Sequence, residues 1–256
     1  QRLRKALLDI DRAAIHTIHG FCQRLLSDHA VAAGALFDSE LLRDATPLHQ
    51  ELADDFWRRH LPGVSPRFAG WLAQRGTTPE NLAKLLPRRS PPEIPILCAA
   101  PIDEAAATAA LEQHFSQLKA GWQQRAEIMA LLHAALPQLN GQSYKAEKLP
   151  RWEDELTHYP AADSPLAPSK ALEMLSARTL TAKTKKGKTP PQHPFFALCD
   201  AFITAQQQLE KACESHWQQL QWAFLKYAGD EAERRKQQRN LRTFDDLLLT
   251  VRSALR

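Results

Sequence analysis

The fold class is decided by residues 194–240, which read PFFALCDAFITAQQQLEKACESHWQQLQWAFLKYAGDEAERRKQQRN. Large apolar side chains recur in this stretch at spacings of three, four and seven residues, at Phe202, Leu209, Cys213, Trp217, Leu220, Phe224 and Tyr227. Such spacings put them on one face of an α-helix. The stretch therefore predicts a long helix from about Pro194 to Asn240, with Gly229 as the point where it could bend or break.

A second long helix is predicted from Asp103 to Leu136. Its apolar positions follow the same spacings, at Leu111, Phe115, Leu118, Trp122, Met129, Leu132 and Leu136. Arg125 fills the one polar position of this seam. At a rise of 1.5 Å per residue, such a helix would be about 50 Å long.

Most of the remaining chain also has helical patterning. Shorter helices are predicted at Thr46–His60, Pro66–Gln74 and Pro79–Leu86, near residues 151–159 and near residues 168–177. In the final helix, TFDDLLLTVRSALR, Thr243 is suited to cap the N-terminus, and Asp245 and Asp246 favour the positive first turn. Only AAIHT, residues 13–17, is expected to be a strand. The helix predicted after it begins at His19, with Phe21, Leu25 and Leu26 on one face and Gly34 just past its end. The predicted fold is all-α, an elongated helical insertion domain with two long helices and a short strand near the N-terminus.

Composition excludes several classes of protein. The 33 Lys and Arg residues against 29 Asp and Glu give a net charge of +4, too small by itself to indicate a nucleic-acid binder. The four cysteines form no C-x-x-C pair, which argues against a disulfide framework or a zinc knuckle. No apolar run approaches the roughly 18 residues of a membrane span, so we expect a soluble, cytoplasmic protein. The absence of an initiator Met suggests a fragment of a longer chain.

The segment AKTKKGKT, residues 182–189, is a loose match to a phosphate-binding loop. A working loop of that kind needs a strand before it and a helix that begins at the Gly-Lys-Thr. Here Pro190 and Pro191 follow at once and offer no N–H donors, so no ATP site is predicted. Two readings stay open for Lys183, Lys185, Lys186 and Lys188, namely contact with phosphates and a flexible, solvated loop.

No metal site is predicted. His16, His19 and Cys22 are spaced three apart, but with His16 in a strand and His19 at a turn their side chains would diverge. The paired acids Asp54-Asp55 and Asp245-Asp246, and the acids of residues 153–155, lie at helix starts or on solvated faces, which indicates structural roles.

The stretch AAIHTIHGFCQRLL, residues 13–26, resembles the single-strand-contact motif of superfamily 1 helicases of the UvrD/Rep kind. Within that group, TIHGFCQR resembles the RecB-like family, the beta chains of exodeoxyribonuclease V. Three further segments resemble the same family: LLRDATPLHQELADDFWRRHL at 41–61, TPPQHPFFALCDAF at 189–202 and RRKQQRNLRTFDDLLLTVRSALR at 234–256. The resemblance therefore spans the chain.

The resemblance implies a division into three parts. Residues 1–35 would belong to motor domain 1A with its single-strand-contact motif, residues 36–240 would form the helical 1B arm, and residues 241–256 would return into domain 1A. The Walker A loop would precede Gln1, and the Walker B acids would follow Arg256. The fragment alone should thus be inactive and bind no cofactor, with ATP and Mg expected for the full-length subunit.

The resemblance also implies site residues. Thr17, His19 and Phe21 would contact single-stranded DNA through a hydroxyl, an imidazole and an aromatic ring, and Arg24 would contact a phosphate. For Phe21, a role as a core anchor of its helix is the alternative. The lysines at 183, 185, 186 and 188 would contact duplex phosphates ahead of the fork.

The implied function is that of the DNA-binding arm region of an ATP-dependent DNA helicase and exonuclease subunit. Such an ATP-binding hydrolase unwinds and degrades double-strand ends in DNA repair by recombination. The implied partners are DNA, as duplex end and single strand, and the gamma and alpha subunits of the exodeoxyribonuclease V complex, with no membrane. The alternative is a helical protein-interaction scaffold that docks partner subunits without touching DNA.

Overall fold

A computed structural model of the chain describes residues 16–29, 39–88, 100–159 and 169–255. In these ranges the eleven α-helices are α1 (Ile18–Asp28), α2 (Thr46–His60), α3 (Pro66–Gln74), α4 (Pro79–Ala83), α5 (Glu104–Trp122), α6 (Arg125–Ala135), α7 (Leu149–His158), α8 (Lys170–Leu175), α9 (Ala177–Ala182), α10 (Pro194–Gln238) and α11 (Phe244–Ala254). Two strands, β1 (Glu40–Leu41) and β2 (Leu241–Arg242), accompany them. The fold is thus mostly helical, which confirms the predicted class.

The two strands pair in parallel, with Glu40 opposite Leu241 and Leu41 opposite Arg242. The Glu40 N–H donates to Asn240 O at 2.8 Å. Among the described non-glycine residues, Asn240 alone has a left-handed backbone, with φ 54°. This pairing was not predicted, because two residues per strand are too few to show an alternating pattern. Of the strand predicted at residues 13–17, residues 13–15 lie outside the described ranges, and residues 16 and 17 are not in a strand.

The chain divides into two compact units. The first unit comprises residues 1–96 and 221–256, and the second comprises residues 97–220. The long helix α10 contributes its residues up to 220 to the second unit and its later residues to the first. The three domains implied by the resemblance follow other boundaries, which stay a prediction.

Helix α10 runs without interruption through Gly229 for 45 residues, as its apolar spacing predicts. The predicted helix from Asp103 to Leu136, in contrast, is divided into α5 and α6. At the break, Gln123 and Gln124 donate their N–H groups to carbonyls only three residues back, at 3.2 Å each. A straight helix would have kept Arg125 in the buried seam, whereas the break leaves it exposed and still buries Trp122 and Ile128.

Close packing also holds α5 against the start of α10. A Cβ added at Gly121 would lie 2.9 Å from Leu198 Cδ1 and 3.1 Å from the Phe195 ring. The Trp122 ring lies 5.2 Å from that of Phe195, and the rings of Phe115 and Phe202 stack at 5.6 Å. These aromatic contacts add to the packing of α5 against α10.

In the first unit, the predicted bounds of α2 and α3 are confirmed to the residue. Helix α4 ends earlier than predicted, at Ala83, and a short 3-10 turn follows at residues 86–88. The capping prediction for α11 is confirmed too, since Thr243 Oγ1 accepts the Asp246 N–H and the Asp246 carboxylate accepts the Thr243 N–H.

A buried arginine joins the end of α10 to α2. The Arg235 side chain donates to Asp55 Oδ2 at 2.6 Å and to Glu231 Oε1 at 2.9 Å. Its Nη1 lies 3.0 Å from Glu51 Oε1, an electrostatic contact without hydrogen-bond geometry. Arg239 donates to both Glu51 oxygens, at 2.9 and 2.6 Å. The basic run that ends α10 is therefore occupied by intramolecular ion pairs.

We predict that Arg235→Met lowers the free energy of unfolding by about 3 kcal/mol, because it removes the buried positive charge that Glu51, Asp55 and Glu231 share. Urea unfolding followed by circular dichroism measures the change. The control is Arg58→Ala, whose side chain is 73% exposed in its pair with Asp55 and should cost at most about 0.5 kcal/mol. Equal stability of Arg235→Met and the parent chain would contradict this role.

Candidate nucleic-acid interface

Helix α1 starts at the motif that resembles a single-strand contact. Thr17 is its N-cap, and Thr17 Oγ1 accepts the Gly20 N–H at 3.2 Å. This bond satisfies one of the free donors of the first helical turn. The predicted start of the helix, near His19, is thus wrong by one residue, and the Thr17 hydroxyl keeps its own proton for a second partner.

The buried face of α1 agrees only in part with the predicted one, since Leu26 is buried and Leu25 half-buried. Cys22 and Leu26 pack against Leu247 of α11, and Leu41 and Val251 adjoin this cluster. Phe21, predicted to share a face with Leu25 and Leu26, is 55% exposed. The alternative that Phe21 anchors a core is therefore wrong, since the motif turns a small thiol inward and its large aromatic ring outward.

The His19 side chain is half-buried against α11. Its ring lies 5.1 Å from the Phe244 ring, edge to face at 75°. Phe244 is 39% exposed, so the imidazole lies beside a second accessible aromatic side chain. Sequence reasoning missed Phe244 because it lies more than 200 residues away along the chain. Its position directly after the cap residue Thr243, outside the buried stripe, was the available signal.

Arg24 lies on the exposed side of the same helix. Its Nη1 is 3.3 Å from His16 Nε2, and its Nε is 3.8 Å from Asp28 Oδ2. Both Arg24 and Asp28 are more than 60% exposed, so this pair is weak and screened by salt. The first unit thus brings together all four predicted residues, Thr17, His19, Phe21 and Arg24, on one helix.

The basic loop in the second unit is held by backbone hydrogen bonds. Thr184 forms an antiparallel bridge with Leu139, where Asn140 N–H donates to Lys183 O and Lys185 N–H donates to Gln138 O, both at 2.8 Å. Gly187 supplies a left-handed turn at φ 77°, a conformation that favours glycine. These hydrogen bonds tether the loop as a turn.

The four lysines of the loop differ in their surroundings. The Lys185 ammonium donates to Pro137 O at 2.9 Å and so fastens the loop. Lys183, Lys186 and Lys188 are exposed, and their ammonium groups have no hydrogen-bond or ion-pair partner within the ranges the structure describes. Three free positive charges therefore project from a fixed turn.

The Gly187-Lys188-Thr189 segment lacks the setting of a phosphate-binding loop. Helix α9, not a strand, comes before it, and the next helix begins only at Pro194. Its backbone N–H groups are therefore not gathered at a helix start, as phosphate cradling by such a loop requires.

The His and Cys residues of the motif do not converge. His16 is exposed, His19 faces Phe244, and Cys22 is buried against Leu247. Among the described residues, no group of three or more His, Cys, Asp or Glu side chains could hold a metal ion. None of the described helices is long and apolar enough to cross a membrane.

In each acidic pair or run, at least one carboxylate has a structural partner, although Asp54 and Asp55 lie in the middle of α2 and not at a helix start. Asp55 bonds to Arg235, Asp246 accepts from Lys236 Nζ at 2.6 Å, and Asp54 accepts from Gln50 at 2.9 Å. Glu155 accepts from the Ser169 hydroxyl at 2.7 Å. Hydrogen bonding by the arginines lowers the pKa of Asp55, with Arg235 as its largest cause, and that of Glu231 to about 2, with Arg234 as its largest cause.

Comparison with known proteins gives one consistent result. The chain is 27% identical over 252 residues to the RecBCD enzyme subunit RecB of Escherichia coli, an alignment that covers 96% of this chain and 21% of that protein. It is 27% identical over 292 residues to RecB of Haemophilus influenzae, covering 99% of this chain and 23% of that protein. No model of a protein family matches the chain. The chain is thus similar to RecB along nearly its whole length and spans about a fifth of these relatives, which confirms the resemblance.

Proposed function

We propose that this chain, similar to RecB along nearly all of its length, is the DNA-contacting arm region of a RecB-like helicase and exonuclease subunit. It would contact single-stranded DNA at α1 and duplex DNA at the basic loop, during the unwinding and degradation of double-strand ends in recombinational repair. The observation that carries the proposal is the outward aromatic ring of Phe21, at the motif where a single-strand contact is expected.

Single-stranded DNA offers two features that suit the α1 surface. Its unpaired bases stack on aromatic rings, and Phe21 and Phe244 are both accessible for that purpose. Its phosphates accept hydrogen bonds, which the Thr17 hydroxyl can donate, and attract cations such as the Arg24 guanidinium. The edge-to-face contact with Phe244 orients the His19 ring, so this imidazole would contact DNA in one fixed direction.

We predict that Phe21→Leu weakens binding of the chain to a dT oligonucleotide by about five-fold or more, because base stacking on an aromatic ring contributes about 1–3 kcal/mol. Leucine keeps the apolar bulk and removes the ring. Fluorescence anisotropy at low salt measures the affinity. Ile18→Ala serves as the control, since Ile18 is apolar and 72% exposed on the same helix and should leave the affinity unchanged. Equal losses from both variants would argue for general apolar contact instead of stacking.

Duplex DNA suits the basic loop for a different reason. Lysines neutralise phosphates as point charges and carry no base specificity. Lys183, Lys186 and Lys188 have free ammonium groups within the described ranges, whereas the Lys185 ammonium donates a hydrogen bond to Pro137 O. Three of the four lysines proposed for this contact would therefore carry it, with Lys185 holding the turn in place.

We predict that changing Lys183, Lys186 and Lys188 together to Ala flattens the dependence of log K on log salt for duplex binding by about two to three units. Each neutralised phosphate contributes a slope of about −0.9 through counterion release. Stability should change by less than about 0.5 kcal/mol, because the three side chains are exposed. The control removes the same charge elsewhere, at Lys119, Lys211 and Lys226, and should leave the slope nearly unchanged. An unaltered slope in the loop variant would remove the loop from the DNA path.

For the whole protein we propose the activities and partners of the family. ATP and Mg would bind to motor segments outside the 256 residues, and the gamma and alpha subunits of the exodeoxyribonuclease V complex would be its protein partners. A cytoplasmic location follows from that function. The similarity to RecB is the support for each of these statements.

A scaffold that docks partner subunits is the second candidate. It is favoured by the exposed apolar side chains of α11, Leu248 at 37% and Leu249 at 39%, and by Trp222 on α10 at 39%. Such residues contact protein more often than phosphate. Duplex affinity that does not respond to salt or to the loop lysines would favour this candidate.

A further inference from the structure

The turn that follows the bridge residue Leu139 lies next to the basic loop. Because Asn140 N–H donates to Lys183 O at 2.8 Å, these two residues are direct neighbours across the bridge. Leu139 is fully buried, and successive residues of an extended strand point to opposite faces. Asn140 is accordingly exposed, and so is its neighbour Lys183.

Hydrogen bonds fix the orientation of the Asn140 side chain. Its Oδ1 accepts the N–H groups of Gln142 at 2.9 Å and Ser143 at 3.3 Å. The oxygen must face these two donors, so the amide NH2 group is directed away from them. Within the part of the chain that the structure describes, this NH2 group has no hydrogen-bond partner.

The turn that follows Asn140 is held by a lysine side chain and has open space around its glycine. Lys148 Nζ donates to Gln142 O at 3.1 Å and to Ser143 O at 3.3 Å, which holds the backbone beyond Asn140. A Cβ added at Gly141 would meet no described atom within 4 Å, and the same holds at Gly187 in the basic loop. The turn at Gly141 therefore leaves space for a ligand next to Asn140.

We propose that Asn140 is a further phosphate-contacting residue, whose amide NH2 group donates to the backbone phosphate that Lys183 neutralises. This inference rests on the proposed duplex contact of the basic loop and adds a directional donor to it. Asparagine side chains are regular phosphate ligands in protein–DNA interfaces. A donor that is already oriented loses little conformational entropy on binding, which favours it over a mobile lysine.

The test is Asn140→Asp in the 256-residue chain, with a 20-base-pair blunt duplex as the probe. Aspartate keeps the acceptor for the Gln142 and Ser143 N–H groups, so the turn is retained, but it replaces the outward donor by an acceptor. A hydrogen bond to a charged group contributes enough that we expect about ten-fold weaker binding. Thermal unfolding verifies that the variant is folded.

Gln142→Glu is the matched control for charge. It adds the same negative charge two residues away, on an exposed side chain; among the described residues, Gln142 forms hydrogen bonds through its backbone N–H and carbonyl groups. We expect it to weaken binding by at most about three-fold. In a Lys183→Ala background, the effect of Asn140→Asp should shrink, because the two residues would share one phosphate.

Two outcomes separate the inference from the proposed function. If Asn140→Asp and Gln142→Glu weaken binding equally, or if the effect of Asn140→Asp is undiminished by Lys183→Ala, the inference is overturned while the loop stays a DNA contact. If the triple change at Lys183, Lys186 and Lys188 alters neither affinity nor salt slope, the proposed duplex contact fails and the inference fails with it.

Discussion

A guanidinium group is stable in a protein interior only where carboxylates surround it, and Arg235 obtains three of them, from Glu51, Asp55 and Glu231. Two of these acids belong to α2 and one to α10 itself. The neighbouring Lys236 bonds instead to Asp246, whose carboxylate also accepts the Thr243 N–H at the start of α11. Two adjacent cations on α10 thus tie it to α2 on one side and to α11 on the other.

This ion-pair cluster has a defined dependence on pH. Hydrogen bonding by arginines lowers the pKa of Glu51, Asp55 and Glu231 below their ordinary values. An acid with a lowered pKa in the folded state stabilises the fold above its unfolded value, and this contribution is lost as the pH falls through the folded value. For Glu231, that window runs from about 4.5 down to about 2. The attachment of α2 to α10 should therefore be complete at neutral pH.

The candidate single-strand surface depends on the same arrangement. Because Asp246 fixes the start of α11, Phe244 lies against His19, and Leu247 packs on Cys22 and Leu26 of α1. The exposed side chains of α1 and its cap include the hydroxyl of Thr17, the aromatic ring of Phe21 and the guanidinium of Arg24. These are the groups that can bind a phosphate and stack on a base without reading sequence.

Much of the fold is predictable from local patterns. Apolar spacing and capping residues suffice for α2, α3, α10 and α11, because helices depend on interactions between near neighbours. The break between α5 and α6 is less visible, since it follows from keeping one charge, Arg125, out of the core. The parallel strands and the bridge between Leu139 and Thr184 join distant segments, which no local pattern reveals.

The candidate site, like the fold, can be predicted from the sequence only in part. Thr17, His19, Phe21 and Arg24 form a local motif and could be named from the sequence. The contribution of Phe244 and the difference between Lys185 and its three neighbours needed tertiary contacts. The buried side of α1 was predicted correctly for Leu26 and wrongly for Phe21, because a cysteine at position 22 is less apolar than a phenylalanine at position 21.

Amide hydrogen exchange of the whole chain, with and without a duplex that carries a single-stranded tail, tests the central claim most directly. The account predicts slower exchange in two segments on DNA binding, residues 17–24 at the start of α1 and residues 183–188 of the basic loop, with little change in α3 and α4. Removing the tail should restore exchange in α1 alone. Unchanged exchange rates in both segments while DNA is bound would contradict the account.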